Sequence, residues 1–371
     1  MLGNVAIDSS TRRRRLLFRI FVVTLLFNST FVNAQVVVKV NDNINFRMGT
    51  LIQAWLDEAQ DATTRGYVAN LYLRRTRFVL GGQIAPNVTF FFQTDNPNLG
   101  KAPKALGAGR VLLDAWGEWK IRDEFMLDAG EFIIPLNRIL LDAGSRRLTL
   151  DISPTATVAT GALTQSNGNR DTGFEAKGYL IDGGRLEYRA ALFSGVRDTA
   201  SRNPFRKTGY LQYSFWEKER GYTYPETNLG KKKILAIATG YDWQKDYKAY
   251  SATLTAQVPM AGNEFAAVIQ AVHYDGGTFL KTIPRQNDFV AEFGYYLAPL
   301  KIQPYVKFEE QKFATTVSAA TTNQTREGVG ANYYISGQNL KITGQFLHVV
   351  FKNSAINSTN EFTVQFQVWY Y

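Results

Sequence analysis

From about residue 44 to residue 371 the chain repeats one unit, a stretch of roughly ten to fifteen residues that alternates apolar with polar side chains and then breaks at a turn. The segment GRLEYRAALFSG, residues 184–195, shows it: Leu186, Tyr188, Ala190 and Leu192 share one side, Arg185, Glu187 and Arg189 the other. A strand points successive side chains to opposite faces, so a period of two predicts a sheet with one apolar and one charged face. Sixteen strands are predicted, over 44–58, 67–84, 86–95, 110–122, 124–134, 170–182, 184–195 and 206–217 in the first half. The second half gives 231–245, 247–259, 263–275, 286–298, 300–313, 326–336, 338–352 and 361–371. No helical pattern is available to cover the apolar face. Lipid covers it most economically, and the polar face then lines a water-filled lumen. The expected fold class is all-β, a transmembrane sixteen-stranded antiparallel β-barrel with a long constriction loop and both termini at the periplasmic end.

Connections nearly alternate short with long, as tight periplasmic turns and longer outer loops should. Two places break the rule. Residues 218–230 are long where a tight turn is due, and the connection near Asp246 is short where a loop is due. Either one strand pair is misplaced or the barrel is locally unusual there. Residues 35–43 are a short lead-in or the first part of the first strand.

Faces follow from the alternation. Asp114, Trp116, Glu118 and Lys120 oppose Leu113, Ala115, Gly117 and Trp119; Glu175 and Lys177 oppose Phe174 and Ala176. Ser251, Thr253, Thr255 and Gln257 oppose Tyr250, Ala252, Leu254 and Ala256, while Lys341, Thr343 and Gln345 oppose Leu340, Ile342 and Phe346. A one-residue slip would turn every charge to lipid, where Arg or Lys at the midplane costs about 2–4 kcal/mol. In the last strand Phe362, Val364, Phe366, Val368 and Tyr370 form the apolar series, and Tyr371 lies one residue beyond it.

The N-terminus supplies the address. Arg12, Arg13, Arg14 and Arg15 precede an apolar run at 20–27 and the small-residue signature Val32-Asn33-Ala34. This reads as a signal peptide, residues 1–34, cleaved to leave a barrel domain of 35–371. A run of eight residues cannot cross a hydrocarbon core of about 30 Å. The expected destination is the bacterial outer membrane, with its lipid as a partner. Composition then narrows the chemistry. Without cysteine there are no disulfides, thiol nucleophiles or zinc–thiolate sites. The 25 Phe, 19 Tyr and 6 Trp suit aromatic girdles at two membrane interfaces. The formal charge of +10 falls to +6 once the leader takes away five arginines and Asp8. That mild excess in an exported strand-rich chain does not indicate nucleic acid.

Candidate chemistry sits in two places. Residues 135–169 form the longest connection and carry Arg138, Asp142, Arg146, Arg147 and Asp151. A loop of this length is functional or ordered by folding back. Folded into the lumen, it would narrow the path and set selectivity by charge; the alternative is a solvated outer flap. The second place is NLYLRRTRFVLGG, residues 70–82, with Arg75 and Arg77 on one face and Tyr72, Phe78 and Leu80 on the other. The two arginines are expected in the lumen and Arg74 near an interface or paired. Salt bridges to Asp114 or Glu118 would make the cluster structural. Arg189, Lys307 and Lys341 complete the set of pore-lining candidates.

LRRTRFVLGGQI with FFFQTD, LLDAWGEWKI with LDAGEFIIPLNR, and RDTGFEAKGYLIDGGRLEYRAALFSG together resemble the phosphate-selective porin O and P family. The resemblance is carried by the ordered set and is strongest over about 70–245. It implies a trimer of sixteen-stranded barrels whose third loop constricts each pore. It further implies arginine and lysine ladders selecting phosphate in some members. The expected function is a channel for passive diffusion of small hydrophilic solutes, with weak anion preference and no cofactor, metal or catalysis. An outer-membrane barrel enzyme such as a phospholipase is one alternative. Its base would have to be His273 or His348, and both fall on apolar faces. A non-conducting adhesin or structural barrel is the other.

Overall fold

The computed structural model describes residues 36–102, 112–166, 168–200, 202–314, 322–353 and 355–371. The predicted leader, residues 1–34, lies outside the described residues. Seventeen strands form one sheet. They are β1 (Val36–Lys39), β2 (Asn45–Gln60), β3 (Tyr67–Ala85), β4 (Val88–Gln93), β5 (Asp114–Arg122) and β6 (Phe125–Ile133). Next come β7 (Arg170–Leu180), β8 (Leu186–Phe193), β9 (Arg206–Ser214), β10 (Ile234–Gln244), β11 (Tyr247–Met260) and β12 (Asn263–Asp275). The last are β13 (Gln286–Tyr296), β14 (Ile302–Phe313), β15 (Gln324–Ser336), β16 (Leu340–Phe351) and β17 (Thr359–Tyr370).

From β2 onward each strand pairs antiparallel with the next, and β17 returns to β2 through the register Glu361↔Ala59 to Tyr370↔Thr50. The result is a closed sixteen-stranded barrel without a free edge, the form in which lipid-exposed backbone is fully paired. All sixteen predicted strands are present. The lead-in is a separate strand: β1 pairs with β2 from Val36↔Met48 to Lys39↔Asn45, along the stretch of β2 that β17 does not reach. The first and last described strands, β1 and β17, thus share one seam on β2.

Burial is inverted relative to a soluble protein. Leu71, Trp119, Phe174, Val329 and Phe366 are exposed on the outside, whereas Gln257, Gln270, Glu292, Gln303, Asn332, Thr343 and Gln367 are buried within. The face expectations for 114–120, 174–177, 250–257 and 340–346 agree with this, whereas Leu113, expected on the lipid side, precedes β5 and lines the lumenal cavity. Tyr72 does not. It is 4% exposed and its hydroxyl donates to Asp57 Oδ2 at 3.1 Å. The register shifts at this point, Gln53 pairing with Arg75 while Ala54 pairs with Leu73, so Arg74 is bulged out of the ladder. A bulge inserts one residue and flips the parity of what precedes it. Tyr72 therefore faces the lumen together with Arg75, and Leu71 takes the lipid side.

The two anomalous connections are real. β10 and β11 are joined by Lys245 and Asp246 alone, and β9 and β10 by residues 215–233, at the end of the barrel where β2 begins and β17 finishes. Both strand pairs stand where the alternation places them. The surplus chain goes inward.

Candidate functional site

Residues 134–169 leave β6 at the opposite end and fold into the lumen, with two short 3-10 turns, Pro154–Thr157 and Gly161–Thr164. Polar side chains from successive strands satisfy the carbonyls of this loop. Ser251 Oγ donates to Leu136 O at 2.8 Å, Tyr274 Oη to Ala156 O at 3.0 Å and Asn332 Nδ2 to Leu148 O at 2.7 Å. Lys341 Nζ donates to Arg147 O at 3.2 Å, Gln367 Nε2 to Ser145 O at 2.9 Å and Gln53 Nε2 to Gly144 O at 3.2 Å. Buried backbone groups need such partners, and here the barrel wall supplies them. Apolar contacts close the same side: Leu136, Leu140 and Ala159 pack with Ala249, Val272 and Tyr274, and Ile139 and Ala156 with Val268 and Val290. The lumen beside β10–β13 is thus a packed core.

The loop root depends on Gly240. A Cβ there would lie 1.7 Å from the Leu136 carbonyl oxygen, so the backbone approaches the wall only where the side chain is missing. Gly240→Ala is expected to lift the root and destabilise the barrel by about 1–3 kcal/mol. The check is the temperature at which the barrel unfolds on a heat-modifiability gel; an unchanged temperature would contradict the packing argument.

Residues 215–233 form a second infolded segment, which meets the loop from the other end. Ala143 N donates to Tyr224 O at 2.8 Å, Tyr224 N to Leu141 O at 2.9 Å and Glu226 N to Arg146 O at 3.1 Å. Charges reinforce these bonds. Arg147 pairs with Glu226 at 2.6 Å; Arg138 pairs with Asp142 and, at 3.0 Å, with Glu219, and lies over the Tyr224 ring at 4.3 Å. Burial and the neighbouring Glu226 push the Asp142 carboxyl well above its usual range, against the Arg138 charge. Although burial opposes it, Glu226 is held below its ordinary value by Arg147 and by its hydrogen bond with Asp142. The segment is tied to the wall as well: Arg189 Nη2 donates to Gly221 O at 2.9 Å and Gln257 Nε2 to Pro225 O at 2.8 Å.

The lumen holds a cavity of about 820 Å³ against β2–β5. Residues 143–147 of the loop and 220–223 of the second segment form its other sides. Eight arginines line it, Arg47, Arg74, Arg75, Arg77, Arg146, Arg147, Arg170 and Arg220, against Asp95 and Asp142. Asp151 takes both Arg74, at 2.8 Å, and Arg75, at 2.5 Å. Burial alone would raise the Asp151 carboxyl, but the two guanidinium charges overturn this and hold it well below the usual carboxylate range. Arg77 pairs with Asp95, Arg170 with Asp114 and Arg220 with Asp123. Arg47 and Arg146 have no acidic partner among the described residues. Burial and the Arg138 charge pull the Arg146 guanidinium below its ordinary value.

The candidates from sequence therefore separate. Arg75, Arg77, Arg146 and Arg147 line the cavity. Arg138, Arg189, Lys307 and Lys341 are not among its lining residues but are buried where the infolded segments meet the wall: Arg189 on Glu187, Lys307 on Glu292 and Glu309, Lys341 on the Arg147 carbonyl. Arg74 is paired, as expected, but in the lumen. Arg47 and Arg220 were not singled out by sequence; Arg47 stands in phase with the lumenal series of β2, a signal the alternation does carry. Of the salt bridges expected to neutralise the β3 arginines, Asp114 goes to Arg170 and Glu118 to Lys177. His273 and His348 sit on the outer face with ring nitrogens on Asn287 and Asn360.

No family model and no curated protein matches the chain. Solved structures do. OmpF of Salmonella typhi, in complex with daunomycin, superposes with a TM-score of 0.56 at 14% identity, covering 90% of this chain and 100% of that one. OprB of Pseudomonas putida gives a TM-score of 0.61 at 9% identity over 88% of this chain and 94% of that chain. OmpT, an outer membrane protein of Vibrio cholerae, gives 0.55 at 9% identity over 90% and 99%. The fold is that of bacterial outer-membrane β-barrels.

Proposed function

We propose that the protein is an outer-membrane porin, a channel for passive diffusion of small hydrophilic solutes with a preference for anions. One observation carries the reading: a lumenal cavity is lined by eight arginines and two aspartates, and two of those arginines lack an acidic partner among the described residues. Charges lining a constriction bias which ions enter it. The porins among the structural neighbours support the channel, and the lumenal arginines support the finer placement beside the phosphate-selective porin O and P family. Assembly as a homotrimer and removal of residues 1–34 on export belong to the same reading. Both histidines point away from the lumen, which favours a channel over a barrel enzyme.

Single-channel recording of the purified protein in a planar bilayer tests this. Discrete conductance steps are expected, with a reversal potential in a potassium chloride gradient that reports chloride as the more permeant ion. A barrel that inserts without conducting would overturn the channel, and a cation-selective reversal potential would overturn the anion preference. Crosslinking in native membranes that yields monomers alone would remove the trimer.

A further inference from the structure

The part of the cavity beside the start of β2 and the end of β17 is lined differently from the part beside the β3 arginines. Five aromatic rings follow one another there. Trp369 and Tyr371 have centroids 6.1 Å apart, Tyr371 meets Phe91 edge-on at 5.8 Å, and Phe91 stacks on Trp116 at 5.7 Å. Tyr222, from the second infolded segment, closes the run at 4.8 Å from Trp116 and 5.6 Å from Phe91. All five line the cavity. The strand register puts a cation on the same level: Arg47 pairs with Gly81, Gly81 with Phe91 and Phe91 with Trp116. Adjacent strands are about 4.8 Å apart, so Arg47 stands roughly 10 Å along the wall from Phe91. A side chain on Gly81 would collide with the Tyr371 hydroxyl, 2.2 Å from its would-be Cβ, so the missing side chain is what lets Tyr371 lie between the cation and the rings.

An aromatic strip in a water-filled lumen is not explained by passage of inorganic ions. Apolar ring faces exposed to water gain by covering one another with a further ring, and offset or edge-on aromatic contacts add to that gain. The indole Nε1 of Trp116 is shielded from solvent and has no acceptor among the described residues. Arg47 is the charge complement at the other end of the strip.

We propose that this strip is a binding subsite for a monocyclic aromatic carboxylate, with its ring on Tyr371, Phe91 and Trp116 and its carboxylate toward Arg47. The assignment rests on the channel reading and names the class of anion for which this part of the cavity is shaped. A bidentate guanidinium–carboxylate contact fixes one end of such a solute, and the rings hold the other. An aliphatic carboxylate of the same charge gains only the first of these.

The test uses the purified full-length protein in a planar bilayer at pH 7, with benzoate and acetate titrated into potassium chloride and the reduction of chloride current recorded. Benzoate is expected to inhibit at about tenfold lower concentration than acetate, the equivalent of one good aromatic contact. Phe91→Leu, which keeps an apolar side chain and removes the ring, should draw the two concentrations together; Arg47→Gln should raise both. Tyr371→Leu serves as a second ring deletion should Phe91→Leu fail to assemble. Equal inhibition by benzoate and acetate in the wild type would overturn the subsite, as would a benzoate preference that survives the ring deletions. The reversal potential in plain potassium chloride decides the anion preference separately, so the two ideas can fail independently.

Discussion

A channel carrying Arg146→Glu is expected to lose most of its chloride preference, with a reversal potential near zero or on the cation side in a potassium chloride gradient. The residue sits on the infolded loop, lines the cavity, and has no acidic partner among the described residues. Its reversal changes the local charge by two units without removing an ion pair among the described residues. Two unit charges about 4 Å apart interact by roughly 1 kcal/mol in water and about 4 kcal/mol at an effective dielectric near 20. Each 1.4 kcal/mol is about tenfold in a partition ratio, so even the watery limit gives a several-fold change. The neighbouring arginines are poorer probes. Arg147→Glu would set two carboxylates together at Glu226, and Arg75→Glu would do the same at Asp151. Their effects on loop docking would mix with effects on the permeating ion. An Arg146→Glu channel with unchanged selectivity would place the filter elsewhere.

The barrel was legible because its instructions are local. Alternation with a period of two, ended by Ala85-Pro86-Asn87 or Asp182-Gly183-Gly184, places every strand without knowledge of its partner. At Ile181, Asp182, Gly183 and Gly184 the backbone takes positive φ, the conformation that Gly and Asp tolerate best. What sequence could not carry is anything set by a distant contact. The bulge at Arg74 leaves the pattern of NLYLRRTRF readable in either phase, and only the register with β2 shows that Tyr72 is lumenal. Ala249, Val268 and Val290 look like lapses in a polar face until the loop packs on them. Cations on polar faces look alike in sequence: Arg77 lines the cavity, whereas Arg189, 2% exposed and 2.7 Å from Glu187, is spent within the wall. The long connection before β10 was visible as a surplus of residues. Its destination was not, because Glu219, Tyr224 and Glu226 acquire meaning only against Arg138 and Arg147.

Replacing residues 218–232 by a two-residue Asn-Gly turn is expected to widen the channel, raising single-channel conductance several-fold and lowering its ion selectivity. β9 and β10 continue to pair beyond their named ends, with Phe215 N on Leu235 O at 2.8 Å and Glu217 N on Lys233 O at 3.0 Å, so a tight hairpin can close there. The deletion takes away one wall of the cavity, Arg220, Gly221, Tyr222 and Thr223. It also takes away the carboxylates that hold the loop, Glu219 from Arg138 and Glu226 from Arg147. Removing one partner of a buried pair costs about 3–5 kcal/mol, because the remaining charge is left uncompensated. Arg138, 1% exposed, retains Asp142, while Arg147 keeps no acidic ion-pair partner among the described residues, so the loop should loosen first around 144–148. Water entering there reaches the wall donors Gln53, Lys341 and Gln367, which can then bond water in place of loop carbonyls. The double variant Glu219→Gln with Glu226→Gln keeps the shape of the segment and removes its charge, so it should move conductance in the same direction by less. A deletion variant that folds, inserts and conducts like the wild type would mean that the second segment fills the lumen without narrowing the path.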